Sequence, residues 1–312
     1  MLIAGIDEAG YGPLLGPLVV GASVFEYQGN EIPDIWELLH DTVSRPGRLA
    51  KGLVIGDSKK VYKRKGLSDL AEGVFSFGKR SGFEYGGDWG AFLHRFGAEG
   101  RVSPEDKLPW YGGAKDGLDV RAEAALQLTD SLESAGLKFL GYVIRPVFAP
   151  EFNDILQTRN KSELLYDLAS ALALEILAKH EGHEESVFLC DKQGGRNFYG
   201  PQLIETFPDH GFMIESEARE QSSYLLLKRG RNLRFRFLMK GDDKHLPIAL
   251  ASMCCKLMRE LFMKQFNAWW QEQMPGLKPT AGYYTDGMRF LEDTKALREQ
   301  LDVSDDALIR CK

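Results

Sequence analysis

The sequence predicts an α/β fold, with a mixed central sheet flanked by helices and a helical region towards the C-terminal end. Two observations predict it, and a third bears on the site. Short apolar runs alternate with stretches of helical spacing along most of the chain. The chain opens with two apolar runs, Leu2–Ile6 and Pro17–Phe25, joined through the turn Gly10-Tyr11-Gly12-Pro13, which reads as an antiparallel start. Several apolar strands then stop at a carboxylate: Ile6 at Asp7 and Glu8, Cys190 at Asp191, and Met239 shortly before Asp242.

The remaining elements follow in order. Leu67–Gly82 has helical spacing. The stretch 86–117, rich in Gly, Trp, Pro and charge, reads as a loop or an inserted segment. Val120–Ala135 reads as an amphipathic helix and Leu137–Val147 as a strand, bounded by Pro146 and Pro150. Lys161–His180 places Leu and Ala at core spacing along a long helix. Val187–Cys190 is a short strand ending on Asp191. Phe212–Ser216, Tyr224–Leu227 and Leu233–Met239 are further strands, and Leu246–Trp270 is a long helix. Internal repeats and low-complexity tracts are absent from the sequence.

Composition narrows the class. With 312 residues, of which 44% are hydrophobic, the chain can bury a sizeable core and is not disordered. Asp7 and Glu8 interrupt what would be the apolar core of a signal peptide. No run approaches the roughly 18 apolar residues of a membrane span. Cys190, Cys254, Cys255 and Cys311 lack CxxC spacing, which points to reduced cysteines in the cytoplasm rather than a zinc site. A net charge of −6 excludes a strongly basic coat but not local basic patches. Lys59, Lys60, Lys63, Arg64 and Lys65 form one such cluster; the second contains Lys228, Arg229, Arg231, Arg234, Arg236 and Lys240. The ordinary reading of either is a solvated face. In the second, however, Arg alternates with Phe or Leu, giving a strand with one basic and one apolar face.

Two acids at the end of a buried strand are costly without compensation. A divalent cation would compensate them; the alternative is an ordinary polar turn. If the strands before Asp7, Asp191 and Asp242 are neighbours, four carboxylates meet at one sheet edge. Adjacent strand residues point to opposite faces, so Asp7 and Glu8 share a site only if the strand ends there. Gly10 and Gly12 permit the necessary turn. Such a pocket suits Mg²⁺ or Mn²⁺ better than zinc.

The motifs resemble those of type 2 ribonucleases H, the HII and HIII enzymes. GIDEAGYGPLLGPLVVGA is similar to the family's opening motif, and Gly56-Asp57-Ser58-Lys59-Lys60 to its Asp-Ser-Lys-Lys segment. Asn153-Asp154-Ile155-Leu156-Gln157 resembles Asn-Ile-Leu-Gln. Leu189-Cys190-Asp191 occupies the place of the third acid. Lys240-Gly241-Asp242, running into Ala249-Leu250-Ala251-Ser252-Met253, resembles the fourth-acid motif, and Gly282-Tyr283-Tyr284-Thr285 the late Gly-Tyr-Pro-Thr segment. There are three departures. Tyr11 replaces the central Arg or Lys of the turn. Lys192-Gln193-Gly194-Gly195 follows the third acid. The chain is also longer, which implies a single ribonuclease H-like domain over residues 1–312 with insertions at about 83–135 and 192–233.

The resemblance implies a metal-dependent endoribonuclease. It would cut the RNA strand of RNA–DNA hybrids, or ribonucleotides embedded in DNA, leaving 5′-phosphate and 3′-hydroxyl ends. Asp7, Glu8, Asp191 and Asp242 would hold two Mg²⁺ or Mn²⁺ ions about 4 Å apart, with Asp7 bridging. Ser58, Lys59 and Lys60 would face phosphate. Backbone amides of Gly10, Tyr11 and Gly12 would contact ribose hydroxyls. Tyr283 matches the family tyrosine that packs on a deoxyribose, and Tyr11 offers a ring and a hydroxyl where the family has a cation. Asp57 reads as a helix cap and Asp243 as an acid complementing the dipole of the next helix. His183, His245 and the pair Trp269-Trp270 read as structural. The implied partner is nucleic acid, without a membrane, and the implied state a cytoplasmic monomer. Two rivals are a nuclease of the same fold with altered or broadened substrate choice, and a non-catalytic nucleic-acid-binding relative. Retention of four acids argues against the second.

Overall fold

The structure, a computed structural model, describes residues 1–47, 50–84, 88–97, 108–111, 118, 122–193 and 195–311, with only the backbone described at 122–125. Its strands are β1 (Leu2–Ala9), β2 (Leu18–Tyr27), β3 (Val43–Ser44), β4 (Leu53–Val54), β5 (Leu137–Val147), β6 (Glu185–Asp191), β7 (Gly211–Glu217), β8 (Gln221–Lys228) and β9 (Arg231–Leu238). Seven of them form one mixed sheet in the order β5-β2-β1-β6-β9-β8-β7, while β3 and β4 pair separately. β1 pairs antiparallel with β2 and parallel with β6, and β6 pairs parallel with β9. β1, β6 and β9 are therefore adjacent, and their C-terminal ends share one edge of the sheet, where open α/β sheets form ligand crevices.

The helices are α1 (Ile35–Leu38), α2 (Ser58–Lys65), α3 (Leu67–Arg80), α4 (Trp89–Phe96), α5 (Ala122–Ser134), α6 (Ala149–Leu156), α7 (Lys161–Lys179), α8 (Gly200–Thr206), α9 (Leu246–Gln273), α10 (Tyr284–Asp293), α11 (Lys295–Gln300) and α12 (Asp305–Leu308). The mixed sheet flanked by helices is the expected fold class. Two expectations need correction. The supposed loop over 86–117 contains α4, whose Trp89, Phe92, Leu93 and Phe96 recur at i, i+3, i+4 and i+7 and are all buried. β1 also does not stop before the acids: Asp7 pairs opposite Gly21 and Glu8 opposite Val20. Only the parallel pairing to β6 stops there, at Ile6 opposite Cys190. Residues 120 and 121 of the expected Val120–Ala135 helix, Gly194, and most of 98–117 lie outside the described residues.

Apolar residues cover both faces of the sheet. On one, Ile3, Val19, Phe25, Val187 and Leu189 join a core with α3, α4 and α9. On the other, Ala4, Ile6, Phe188, Phe235 and Phe237 meet the buried stripe of α7. Asn160 starts α7 with a capping box: its side chain accepts from Ser162 and Glu163, and Glu163 accepts from the Asn160 N–H. The start of α9 lies directly on β1. A Cβ on Gly5 would stand 2.1 Å from the carbonyl carbon of Pro247, so only glycine allows this approach. Ser23 Oγ donates to Pro247 O at 2.7 Å and ties the same turn to β2. Trp270, fully buried, stacks on Trp110 in the expected packing role. Among the described residues no helix is long and apolar enough to cross a membrane.

Candidate active site

A cavity of about 960 Å³ opens at the shared strand edge. Asp7 and Glu8 reach it from the end of β1, Asp191 from the end of β6, and Asp242 from the 3₁₀ turn Gly241–Asp243 that follows β9. Lys240 enters that turn in the left-handed conformation, with φ 54° and ψ 50°. The Gly241 N–H donates to Asp191 Oδ1 at 2.7 Å, locking the third acid to the turn that carries the fourth. The Glu8 N–H donates to Asp7 Oδ1 at 2.8 Å. Although Asp7 and Glu8 are neighbours on a strand, both line the cavity because it wraps the strand's end.

These acids share an unfavourable environment. Burial, then the charges of Glu8 and Asp191, hold the Asp7 carboxyl well above the usual carboxylate range. Glu8 is pushed up to about 7 by burial and then by Asp191. Burial raises Asp191. Asp242 is pushed up to about 6 by burial, then by Asp191, Asp57 and Asp243. Among the described residues none of the four is ion-paired to Lys or Arg; nearby Lys60 goes instead to Asp243 at 2.8 Å and Asp57 at 3.6 Å. The donor set consists of carboxylate oxygens, with lysines in the cavity but no ion pair to them among the described residues, which is the ligand chemistry of hard dications. Among the described residues no group of three or more His, Cys, Asp or Glu side chains is gathered closely enough to hold a metal ion. The acids line a wall rather than enclose a point.

The other expected residues line the same cavity: Gly10, Tyr11, Gly12, Ser58, Lys59, Lys60 and Tyr283. Gly10 has φ +87°, and a Cβ there would stand 2.7 Å from Pro17 O, so this turn requires glycine. Tyr11 lies beside Glu8, and burial and then that charge raise its phenol. Ser58 lines the cavity with little exposed surface, and its hydroxyl accepts from Ser252 Oγ at 3.1 Å. Asp57 caps α2 by accepting from the Lys59 and Lys60 N–H groups, as expected. Asp243 departs from expectation: it lies before α9, whose first turn contains no acid, and is held by Lys60. His183 and His245 do not line the cavity. His183 contacts Glu26, and His245, held down at about 4 by burial and then Arg236, stays uncharged near neutrality.

Sequence reasoning missed Ser252, Lys256 and Arg259, which line the cavity from α9. Their i, i+4, i+7 spacing in an otherwise apolar helix was the signal. It also missed Arg219 and Asn197, whose loops carry no pattern. On the basic strand β9, Arg234 pairs with Glu215 at 2.7 Å, and the Arg231 guanidinium donates to Leu177 O.

No family model matches the chain, and no curated protein matches it. Solved structures do. Ribonuclease HII from Archaeoglobus fulgidus, in a structure of its complex with PCNA, is 14% identical over 100% of this chain and 95% of that one, with a TM-score of 0.42. Ribonuclease H2 from Pyrococcus horikoshii is 16% identical over 99% and 92%, with a TM-score of 0.46. Bst-RNase HIII, solved in complex with Mn²⁺, is 11% identical over 99% and 66%, with a TM-score of 0.42. All three are type 2 ribonucleases H, the family that the sequence motifs resemble.

Proposed function

We propose that this chain is a divalent-metal-dependent endoribonuclease that cuts the RNA strand of RNA–DNA hybrids, or ribonucleotides embedded in DNA. One observation carries the reading: four buried or half-buried carboxylates, from the ends of β1 and β6 and the turn after β9, face one open cavity, and among the described residues none of them is ion-paired to Lys or Arg. Asp7, Glu8, Asp191 and Asp242 would hold two Mg²⁺ or Mn²⁺ ions. When bound, the ions would supply an activated water and a counter-charge for the leaving 3′-oxygen. In this reading Lys59 meets phosphate from the N-terminus of α2, and Lys60 steadies Asp243. The turn Gly10-Tyr11-Gly12 reads the sugar hydroxyls, and Tyr283, 52% exposed, packs on a sugar of the partner strand. The products carry 5′-phosphate and 3′-hydroxyl ends.

The reading takes residues 1–312 as one domain, working as a cytoplasmic monomer, with insertions at about 83–135 and 192–233. Retention of all four acids argues against a module that only binds nucleic acid, because an idle site has no need of a costly carboxylate cluster. The test offers labelled RNA–DNA hybrid, single-ribonucleotide duplex and all-DNA duplex with Mg²⁺, Mn²⁺ or EDTA. Metal-dependent cutting of the first two is expected. Asp7→Asn is expected to lower it at least roughly 100-fold, the upper range for losing even a supporting outer-shell group. Equal cutting of all three substrates would favour a nuclease without hybrid selectivity, and binding without cutting would sink the enzyme reading.

A further inference from the structure

Two buried guanidiniums lie beneath the turn that runs from Gly10 to Pro17. Each residue is 2% exposed, and among the described residues neither is paired with a carboxylate. Arg259 donates to the carbonyl oxygens of Leu15 at 3.3 Å, Pro17 at 3.4 Å and Ala281 at 3.1 Å. Arg310 donates to Gly10 O at 2.6 Å and to Pro13 O, and lies over the Phe152 ring at 4.8 Å. The segment bearing Arg310 is fastened separately. The Asn153 amide on α6 donates to Asp306 Oδ1 at 2.7 Å and Ile309 O at 2.8 Å, and accepts from the Cys311 N–H at 2.7 Å.

A buried guanidinium without a counter-ion is expensive, and two near each other repel. Among the described residues, Arg310 Nε and Nη1 are also buried without partners. Filling the space alone would favour an apolar side chain. What a guanidinium adds is the capacity to gather several oxygens in a fixed fan. Here the two gather four carbonyls from one turn: Gly10, Pro13, Leu15 and Pro17. With these carbonyls held inside, among the described residues the N–H groups of Gly10, Tyr11 and Gly12 donate to no protein acceptor, and all three residues line the cavity.

We propose that Arg310, seconded by Arg259, is a positioning residue: it holds the turn from below so that its free N–H groups and the Tyr11 ring meet a sugar–phosphate strand already oriented. Residues 304–311 thereby act as a strap under the site. The substrate half of this proposal rests on the nuclease reading; the clamp itself does not.

The test compares Arg310→Lys, Arg310→Met and Asn153→Ala with the unaltered chain. Amide hydrogen exchange is followed at Leu14 and Leu15, whose N–H groups donate to Gly282 O, with 187–190 of β6 as reference. Arg310→Met is expected to speed exchange at Leu14 and Leu15 by roughly tenfold or more while β6 stays unchanged. Arg310→Lys should recover part of the protection. Asn153→Ala, which removes one fastening of the strap while the Arg310 N–H still donates to Leu14 O, should give a smaller increase. Equal acceleration in both segments makes Arg310 a general core residue and overturns the proposal, as does no acceleration in either. For hybrid cleavage with saturating Mn²⁺, Arg310→Met should raise KM roughly tenfold with kcat within about threefold. A fall in kcat at unchanged KM contradicts positioning. If the unaltered chain cuts no hybrid, the nuclease reading fails, and the exchange measurement still decides the clamp.

Discussion

Glu8 and Asp242 take up protons more readily in the fold than in the unfolded chain, at about 7 and about 6. The stabilisation from each is full below its unfolded value of about 4 and is lost as pH rises through the folded value. His245 acts in the opposite direction, since its folded value is lowered and its contribution is lost as pH falls towards about 4. Comparison with Glu8→Gln isolates the carboxyl. In EDTA, Glu8→Gln should be increasingly more stable than the unaltered chain from about pH 5 to about pH 7.5, read as a widening gap in melting temperature. A gap that stays flat or narrows contradicts the assignment. At this scale the acids were legible because a carboxylate directly after an apolar run stands out. The partner of Lys60 was not, because Asp243 lies 183 positions away in sequence.

β1 and α9 together set the position of Asp7 relative to Ser252. Their contact depends on Gly5, where a Cβ would meet the Pro247 backbone, an atom that cannot swing aside. Gly5→Ala should therefore destabilise the fold by about 1–3 kcal/mol, measured by urea denaturation, and displace the first two acids. Asn160→Ala is the matching control: loss of the α7 capping box should cost about 1 kcal/mol with metal-dependent cleavage unchanged at a permissive temperature. If Asn160→Ala abolishes cleavage while the protein stays folded, the separation of α7 from the site is wrong. Strands with long apolar runs, such as β5 and β6, were readable directly. α4 was not, because its buried face occupies only eight residues between glycine-rich flanks. α6 and α8 are equally short, and their helical form depends on packing rather than on a long periodic pattern.

Across the whole molecule, adjacency of β1, β6 and β9 brings the acids at the ends of β1 and β6 and in the turn after β9, far apart in sequence, into one wall. The alternation of strands and helices made the mixed sheet foreseeable. The strand order follows from which apolar faces bury which, and no local pattern encodes it. Charge follows the same logic. The net −6 is offset at the cavity mouth by Lys59, Lys192, Lys240 and Arg219, while Arg234 and Lys228 are occupied by Glu215 and Asp209. Few phosphate contacts are therefore available. The dependence of log binding constant on log salt for a hybrid, measured with Ca²⁺ to suppress cutting, should have a slope of roughly −3. A slope of −6 or steeper would mean that the basic strands also engage the nucleic acid.

Gly10 and the guanidinium beneath it are separated by 300 residues. Chain synthesis at about 5–20 residues per second puts roughly 15–60 s between making the two. During that interval the first acids exist without the fastening of the loop beside them, and closing so long a span is entropically slow. The turn from Gly10 to Pro17 is thus among the last parts of the molecule to set, although Asp7 and Glu8 beside it are among the first residues made.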